Sequence, residues 1–485
     1  MTNPTDRADG VVGRFWLAHD DEHAIPGRLT LAEGANPRLE LAQPLSPGWK
    51  EVDLGNQAEG FCTFVEAEEG PGIESLVVHG ALDGGTLVTL VDAFTKKRTV
   101  GGGRERQWLE AHRALLGGHA TGPDDHYSRI RLRLRHLDGW ATLPGFSLET
   151  SDAPHARATL EFQGSDSNSV ALAGGGRLDL EQEPEIEFSA LRGGRIGRVV
   201  WLRIVDLPPM TAADLDRRFG TPLSSLLTLA TGTGCPLVAV EVASGPDQPW
   251  LMLHHSGLRA PAEEERAAYR QLLPLALLGL DRVAAWLDAV EELGPLPPVV
   301  AAAVARRGST LETRLLELTT IAEGLHRRLF KESRRLSPEQ ARVAREAVGA
   351  AVGGLDQRVR EVVEGEMKHL ETPSFPQRLM ELADSVVAAM PGVTGQTNRW
   401  KQHVTALRNK FAHRDYDFLQ TKEIAETVTI VGSLRWLLTG LLLLQTGLSP
   451  AELAARVEAH EPYRLFRQEA RKSFPRVYDA GGGDC

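Results

Sequence analysis

Cysteine is scarce in this chain: Cys62, Cys235 and Cys485 are the only three in 485 residues, widely spaced and odd in number. That excludes a disulfide framework and offers no zinc-ligand spacing, so a reducing cytoplasm is the expected compartment. An excess of positive charge is also missing. The formal net charge is −11, which excludes a protein that coats nucleic acid through a general basic surface but leaves room for a small basic cleft. No apolar run is long enough to span a membrane. The most apolar stretch, "LRWLLTGLLLLQTGL" at 434–448, contains Arg435 and falls short of the roughly 18–20 residues required, so it is expected to be a buried helix. The opening "MTNPTDRADG" lacks the apolar core of a secretory signal.

Several chemical signatures are absent too. "TGTGCPL" and "GGGRERQ" lack the Gly-Lys-Ser/Thr ending of a phosphate-binding loop, and no serine sits in a nucleophile elbow. "HRDYDFLQ" carries Gln420 where a kinase catalytic loop needs its metal-binding Asn, with no glycine-rich loop or DFG elsewhere. His254 with His255, and Glu263, Glu264 and Glu265, lack ligand spacing and read as solvated loop. His112, His119 and His126, near Asp124 and Asp125, read as a Gly-rich loop rather than a metal centre. No metal or other cofactor is expected. No internal repeat occurs.

What is present is the composition of a soluble globular protein, 42% apolar and 25% charged, over a length suited to two or three domains. The first half reads as short strands between Gly, Pro and Asp turns: "GRFWL", "GRLTL", "RLEL", the "DGG" hairpin at 83–85, then "RIRLRLR" and "GRVVWLRIVDL". Around 211–230 the pattern changes to helix period, with Thr211 as a cap and Asp214 supporting the first turn. From about 260 onward only helices are expected. "GPLPP" at 294–298 is a joint. Leu311, Leu315, Leu318, Ala322, Leu325 and Leu329 form one stripe, and Ser337 before Pro338 opens another helix. The fold class expected is α+β multidomain, a β-rich half of sandwich-like sheets followed by an all-α bundle. The boundaries are 1–258 (in two subdomains, about 1–125 and 126–258), a helical linker at 259–300, a helical domain at 301–475 and a disordered tail at 476–485.

Basic residues are almost all Arg, the side chain that grips phosphate through a planar fork. The pattern Arg-x4-His occurs three times. Arg14 with His19 and Arg131 with His136 lie in the β half, where an odd separation puts the side chains on opposite strand faces. Arg408 and His413 differ. Trp400, Val404, Leu407 and Phe411 make an apolar stripe, so "TALRNKFAHRDYD" opens in an amphipathic helix with Arg408 and Asn409 off its buried face. Five residues on a straight helix are about 140° apart, so either the helix ends near His413, or Arg408 reaches round with its long stem, or a second protomer completes the site.

The segment "LRNKFAHRD" resembles the signature of the HEPN family, an all-helical domain. "LTTIAEGLHRRLF" and "SFPQRLMELAD" are similar to the ApeA-like branch of bacterial anti-phage abortive-infection proteins, and "GRFWLAHDDEHAIPGRLTL" with "VVHGALDGGTLVTLVDAF" to its accompanying N-terminal domain. The resemblance implies metal-independent RNA cleavage, with Arg408, His413 and Asn409 at the site and Glu323 as a supporting acid in the first helix. It also implies an RNA substrate such as tRNA, a homodimer through the helical domain, and a phage-derived trigger at the N-terminal region. The alternative from another class is a catalytically inactive HEPN module that binds nucleotide, RNA or protein.

Overall fold

The structure, a computed structural model, describes residues 10–45, 49–52, 63–66, 75–101, 104–143, 145–151, 157–162, 169–189, 193–260, 270–305, 308–412 and 421–479. His413, the kinase-like "HRDYDFLQ", Glu263 to Glu265, Cys62, Cys485 and the final residues of the tail lie outside them. The chain forms two compact units. One holds Met1–Asp138, Leu143–Thr221 and Cys235–Glu265, the other Gly139–Thr142, Pro222–Gly234 and Arg266–Cys485.

The first unit is built on antiparallel strands. β1 (Val11–Leu17), β2 (Asp20–Thr30) and β3 (Arg38–Leu41) form a meander, and β4 (Trp49–Val52) pairs with β5 (Thr63–Glu66) as a separate ribbon. β6 (Leu76–Leu82) and β7 (Leu87–Gly101) are joined by the Asp83-Gly84-Gly85 turn, with both glycines at positive φ as such a turn requires. β8 (Arg104–Leu116) then pairs with β7 on one side and β3 on the other, so six strands close into a ring in the order β8-β3-β2-β1-β6-β7. The sandwich-like packing expected of this half therefore includes a closed barrel. Phe15, Leu29, Leu41, Val78, Leu90 and Leu109 fill it. Gly80 faces Phe15 across the β1–β6 ladder, and a Cβ there would lie 2.5 Å from the Phe15 ring.

Beyond the ring lies an open wing. β9 (His126–Tyr127) pairs with β16 (Met210–Thr211), and β11 (Phe146–Ser151) with β12 (Arg157–Phe162), as two small ribbons. β10 (Arg129–Leu134), β13 (Ser169–Ala171), β14 (Arg177–Ser189), β15 (Gly193–Val205), β17 (Leu237–Ala243) and β18 (Leu251–His254) run in the order β13-β14-β15-β10-β17-β18 and attach through β18 to β8. Strand β8 thus forks: Gln107–Glu110 pair with β3, and Ala114–Leu116 with β18. Two expectations are corrected here. His112 is on β8, packed edge-on against Phe94, and His126 is on β9, rather than both lying in a loop. His254 ends β18, where it is buried, and the His255 ring faces Asp216 at 3.6 Å, so the pair belongs to the interior and not to a solvated loop. The reason is the ladder: His254 pairs with Ala114 of β8, inside the sheet.

The helical unit takes two pieces from within the N-terminal half. α1 (Leu137–Ala141) contributes Trp140, whose indole donates to the Leu273 carbonyl at 2.8 Å. α2 (Ala212–Leu215), capped by Thr211 as expected, leads through one π turn into α3 (Thr221–Thr231), which is buried along most of its length. α4 (Leu275–Leu278), α5 (Leu280–Leu293) and α6 (Leu296–Ala305) follow, with Gly294 at positive φ between the last two. Next come α7 (Leu311–Leu329), α8 (Pro338–Val352, with the Ser337 capping box), α9 (Gln357–Met367), α10 (Phe375–Val386) and α11 (Thr397–Ala412). α12 (Thr421–Leu444), α13 (Pro450–Ala459), α14 (Glu461–Ser473) and α15 (Pro475–Tyr478) complete it. Against the expectation from 434–448 alone, the apolar stretch extends back to Thr421, so α12 is long and apolar enough to cross a membrane by composition, yet 78% of its most apolar window is buried inside the protein. It is the axis of the bundle, with α6, α7, α10, α13 and α14 packed around it.

Candidate functional site

Three helices converge around Arg408. α7 starts at Thr310, whose hydroxyl accepts from the Thr313 amide at 3.3 Å, and buries Leu315, Leu318, Ala322 and Leu325. That stripe turns Glu323 away from the core toward α11. α10 opens with Phe375 and has Pro376 in its first turn, where a missing N–H costs nothing. α11 buries Trp400, Val404 and Phe411, which leaves Arg408 half-buried on its flank and Asn409 exposed.

The Arg408 side chain is held from two directions. Its Nη2 donates to Glu323 Oε1 at 2.8 Å, and its guanidinium carbon lies 4.6 Å from the centre of the Phe375 ring. A stacked cation of this kind gains about 0.5–2 kcal/mol and, more usefully, fixes the guanidinium plane. A third of the side chain remains open to solvent. Arg carries five N–H donors in a fixed fork, and among the described residues one goes to Glu323. Of the four residues proposed from the sequence, Arg408 and Glu323 therefore meet. Asn409 is on the solvent face of the same helix, and His413, which follows the last residue of α11, lies outside the described residues.

A second layer, which sequence reasoning missed, stands behind this pair. His326, buried one turn after Glu323, places Nε2 at 2.8 Å from Glu381 Oε2 and stacks on Phe330 at 5.0 Å. Burial works against the Glu381 charge, but hydrogen bonds from Ser333, His326 and Gln377 outweigh it and hold the carboxyl below its ordinary range. Arg378 is buried, donating from Nε to the Pro373 carbonyl at 3.0 Å. Burial, together with nearby Arg327, pulls it below the usual guanidinium range against the opposing pull of Glu323 and Glu381. The signal for this layer was present as two short spacings, Glu323-x-x-His326 and Arg378-x-x-Glu381, each of which puts both residues on one helix face. What was not readable was that α7 and α10 present those faces to each other. Among the described residues no group of three or more His, Cys, Asp or Glu is arranged to hold a metal ion.

An aligned arginine fork with a free edge, set in a carboxylate and aromatic cradle, is suited to binding and polarising a phosphate group. Comparison with known protein families agrees with the architecture. Residues 10–286 match the family described as ApeA N-terminal domain 1, and residues 316–452 match the family described as Apea-like HEPN. No curated protein and no solved structure matches the chain. The first match covers more than half of the sequence, and HEPN domains are typically RNases. The chain belongs to the ApeA family of HEPN-domain proteins, whose function at the level of the family is of the nuclease-type anti-phage kind.

Proposed function

We propose that the protein is an endoribonuclease that cuts RNA without a metal ion, by attack of a ribose 2′-oxygen on the adjacent phosphorus. The P–O5′ bond breaks, leaving a 2′,3′-cyclic phosphate on one fragment and a 5′-hydroxyl on the other. His413 takes the 2′-OH proton or returns one to the leaving O5′, work for which imidazole is suited near neutral pH. Arg408 stabilises the extra negative charge on the phosphate oxygens. Glu323 and Phe375 keep the fork aimed, and Asn409 orients His413 or a phosphate oxygen. A homodimer that faces two Arg-x4-His motifs across one cleft relieves the 140° separation on a single helix. A structured, abundant RNA such as tRNA is the substrate class, cleaved in the cytoplasm once a phage-derived trigger acts on the N-terminal region.

The observation that carries this reading is the Arg408–Glu323 hydrogen bond on the Phe375 ring, which supplies a pre-aimed cation beside the family motif. The same bond also suits a second reading, in which Arg408 only ties α11 to α7 in a non-catalytic RNA- or protein-binding module. Incubating the wild type, Arg408→Ala and His413→Ala with total bacterial RNA in excess EDTA separates the two. Cleavage by the wild type alone, with cyclic or 3′-phosphate ends, is the expected result. Equal inertness of all three, even with infected-cell extract added, would select the binding module, and mutants that cut as well as the wild type would remove the activity from this motif.

A further inference from the structure

The chain carries a net charge of −11, yet residues 397–412 and 461–476 together hold nine Lys and Arg against two carboxylates. The 16-residue α11 contains no Asp or Glu at all. About its axis, at about 100° per residue, the buried Trp400, Val404 and Phe411 stripe is opposed by exposed Asn398, Gln402 and Asn409. Arg399 and Lys410 flank that polar ridge on one side, Lys401 and Arg408 on the other. The Arg399 flank continues onto the C-terminal helices: His403 packs edge-on against Phe474 at 4.9 Å, and Arg399 donates to the Arg476 carbonyl at 3.0 Å.

On α14, Arg464, Arg467 and Arg471 recur at spacings of three and four and share one face. With Gln468 and Lys472 they line an open groove of about 490 Å³. Glu469 approaches Lys472 at 4.0 Å, but among the described residues none of the three arginines has a carboxylate partner. Arg342 on α8, by contrast, is paired with both Glu339 and Glu346. Three neighbouring guanidiniums left unpaired repel one another, a cost that bound phosphates would remove.

We infer that α14 and the polar ridge of α11 form a track for the sugar-phosphate backbone of single-stranded RNA, separate from the Arg408 cradle on the other flank of α11. This inference rests on the RNA-cleaving reading for its choice of polyanion. The test is fluorescence anisotropy of the full-length protein with a labelled single-stranded RNA, in EDTA, across a series of salt concentrations. The variants are the triple Arg464→Gln, Arg467→Gln, Arg471→Gln and, as a control, Arg342→Gln, each with its folding checked by circular dichroism. Each phosphate contact on a single strand contributes about 0.7 to the slope of log K against log salt, so the triple variant is expected to bind more weakly with a slope shallower by about 2, while Arg342→Gln matches the wild type. A wild-type slope in the triple variant overturns the track even if the enzyme cuts RNA. Conversely, a wild type that binds with the expected slope but cuts nothing keeps the track and loses the catalytic reading. A labelled polyglutamate that binds as tightly as RNA, and is lost equally in the triple variant, would overturn RNA in favour of an acidic protein partner.

Discussion

At the scale of single residues the proposed mechanism depends both on Arg408 and on how it is held. Removing the guanidinium altogether removes a charge-stabilising group, for which a loss of about 10²–10³ in cleavage rate is expected. Glu323→Gln keeps the shape and deletes the charge that fixes the fork, and misaiming of about 1 Å is enough to cost on the order of 10²-fold. On the proposed mechanism Glu323 acts through Arg408, so combining Glu323→Gln with Arg408→Ala should add nothing to the loss from Arg408→Ala alone. That cycle, measured as kcat and KM on RNA, distinguishes positioning from simple destabilisation, which would add. Additive losses would mean that Glu323 serves the fold. Arg408 could be read from its motif and its place off the apolar stripe. Phe375, His326, Glu381 and Arg378 could not, because their importance comes from helix faces meeting across long stretches of sequence, from Phe375 to Arg408 and across 55 residues from His326 to Glu381.

At the scale of elements, periodicity served the helices well and the strands less completely, β8 among those it did not mark. Thr211, Ser337 and the Trp400 stripe behave as their spacing implies, since capping and 3.6-residue periodicity are local physics. "RERQWLEAHRALL" carries charge and Ala enough to suit a helix, yet it forms β8, the strand on which the ring closes. Its partners on β7, β3 and β18 supply the ladder that overrides its own preference. A smaller case sits in α12, where Gly440 faces α10. A Cβ at 440 would lie 2.6 Å from Met390 Cγ and 2.9 Å from Val386 Cγ2. Helix propensity alone would favour Gly440→Ala by about 1 kcal/mol. Overpacking at this crossing costs about 1–3 kcal/mol, so net destabilisation is expected in chemical denaturation of the full chain; a stabilised variant would show that α10 can move aside.

At the scale of the whole molecule, the first unit carries a built-in acid sensitivity. Burial holds His254 below its ordinary range, with neighbouring His255 adding to the effect, and burial with nearby His79 does the same for His119. His255 is likewise lowered by burial, against the pull of Asp216. Folded histidines with depressed pKa values bind fewer protons than the unfolded chain, so their contribution to stability is full above about pH 6.5 and is lost as pH falls through their folded values. Asp216, raised by burial, works in the opposite direction. The expected outcome in calorimetry is a transition of the β-rich unit that drops between pH 7.5 and 5.5, with a shallower drop in His254→Asn. An unchanged pH slope in that variant would place the sensitivity elsewhere. The sequence pointed to a β-rich half followed by helices because alternation and helical period persist over long segments. The closure of the ring, and the passage of Trp140 and α3 into the helical unit, depend on contacts distant in sequence and left no local trace.

The fork in β8 also imposes an order in time. During synthesis every strand of the ring is made before β18, and the Ala114–Leu116 end of β8 waits for Leu251–His254, about 135 residues later. At roughly 5–20 residues per second that is about seven to twenty-seven seconds in which a barrel, already closed elsewhere, shows one raw margin. Only three residues long, the margin is too short to recruit a stray strand from another nascent chain, and the wing finds it vacant when it arrives.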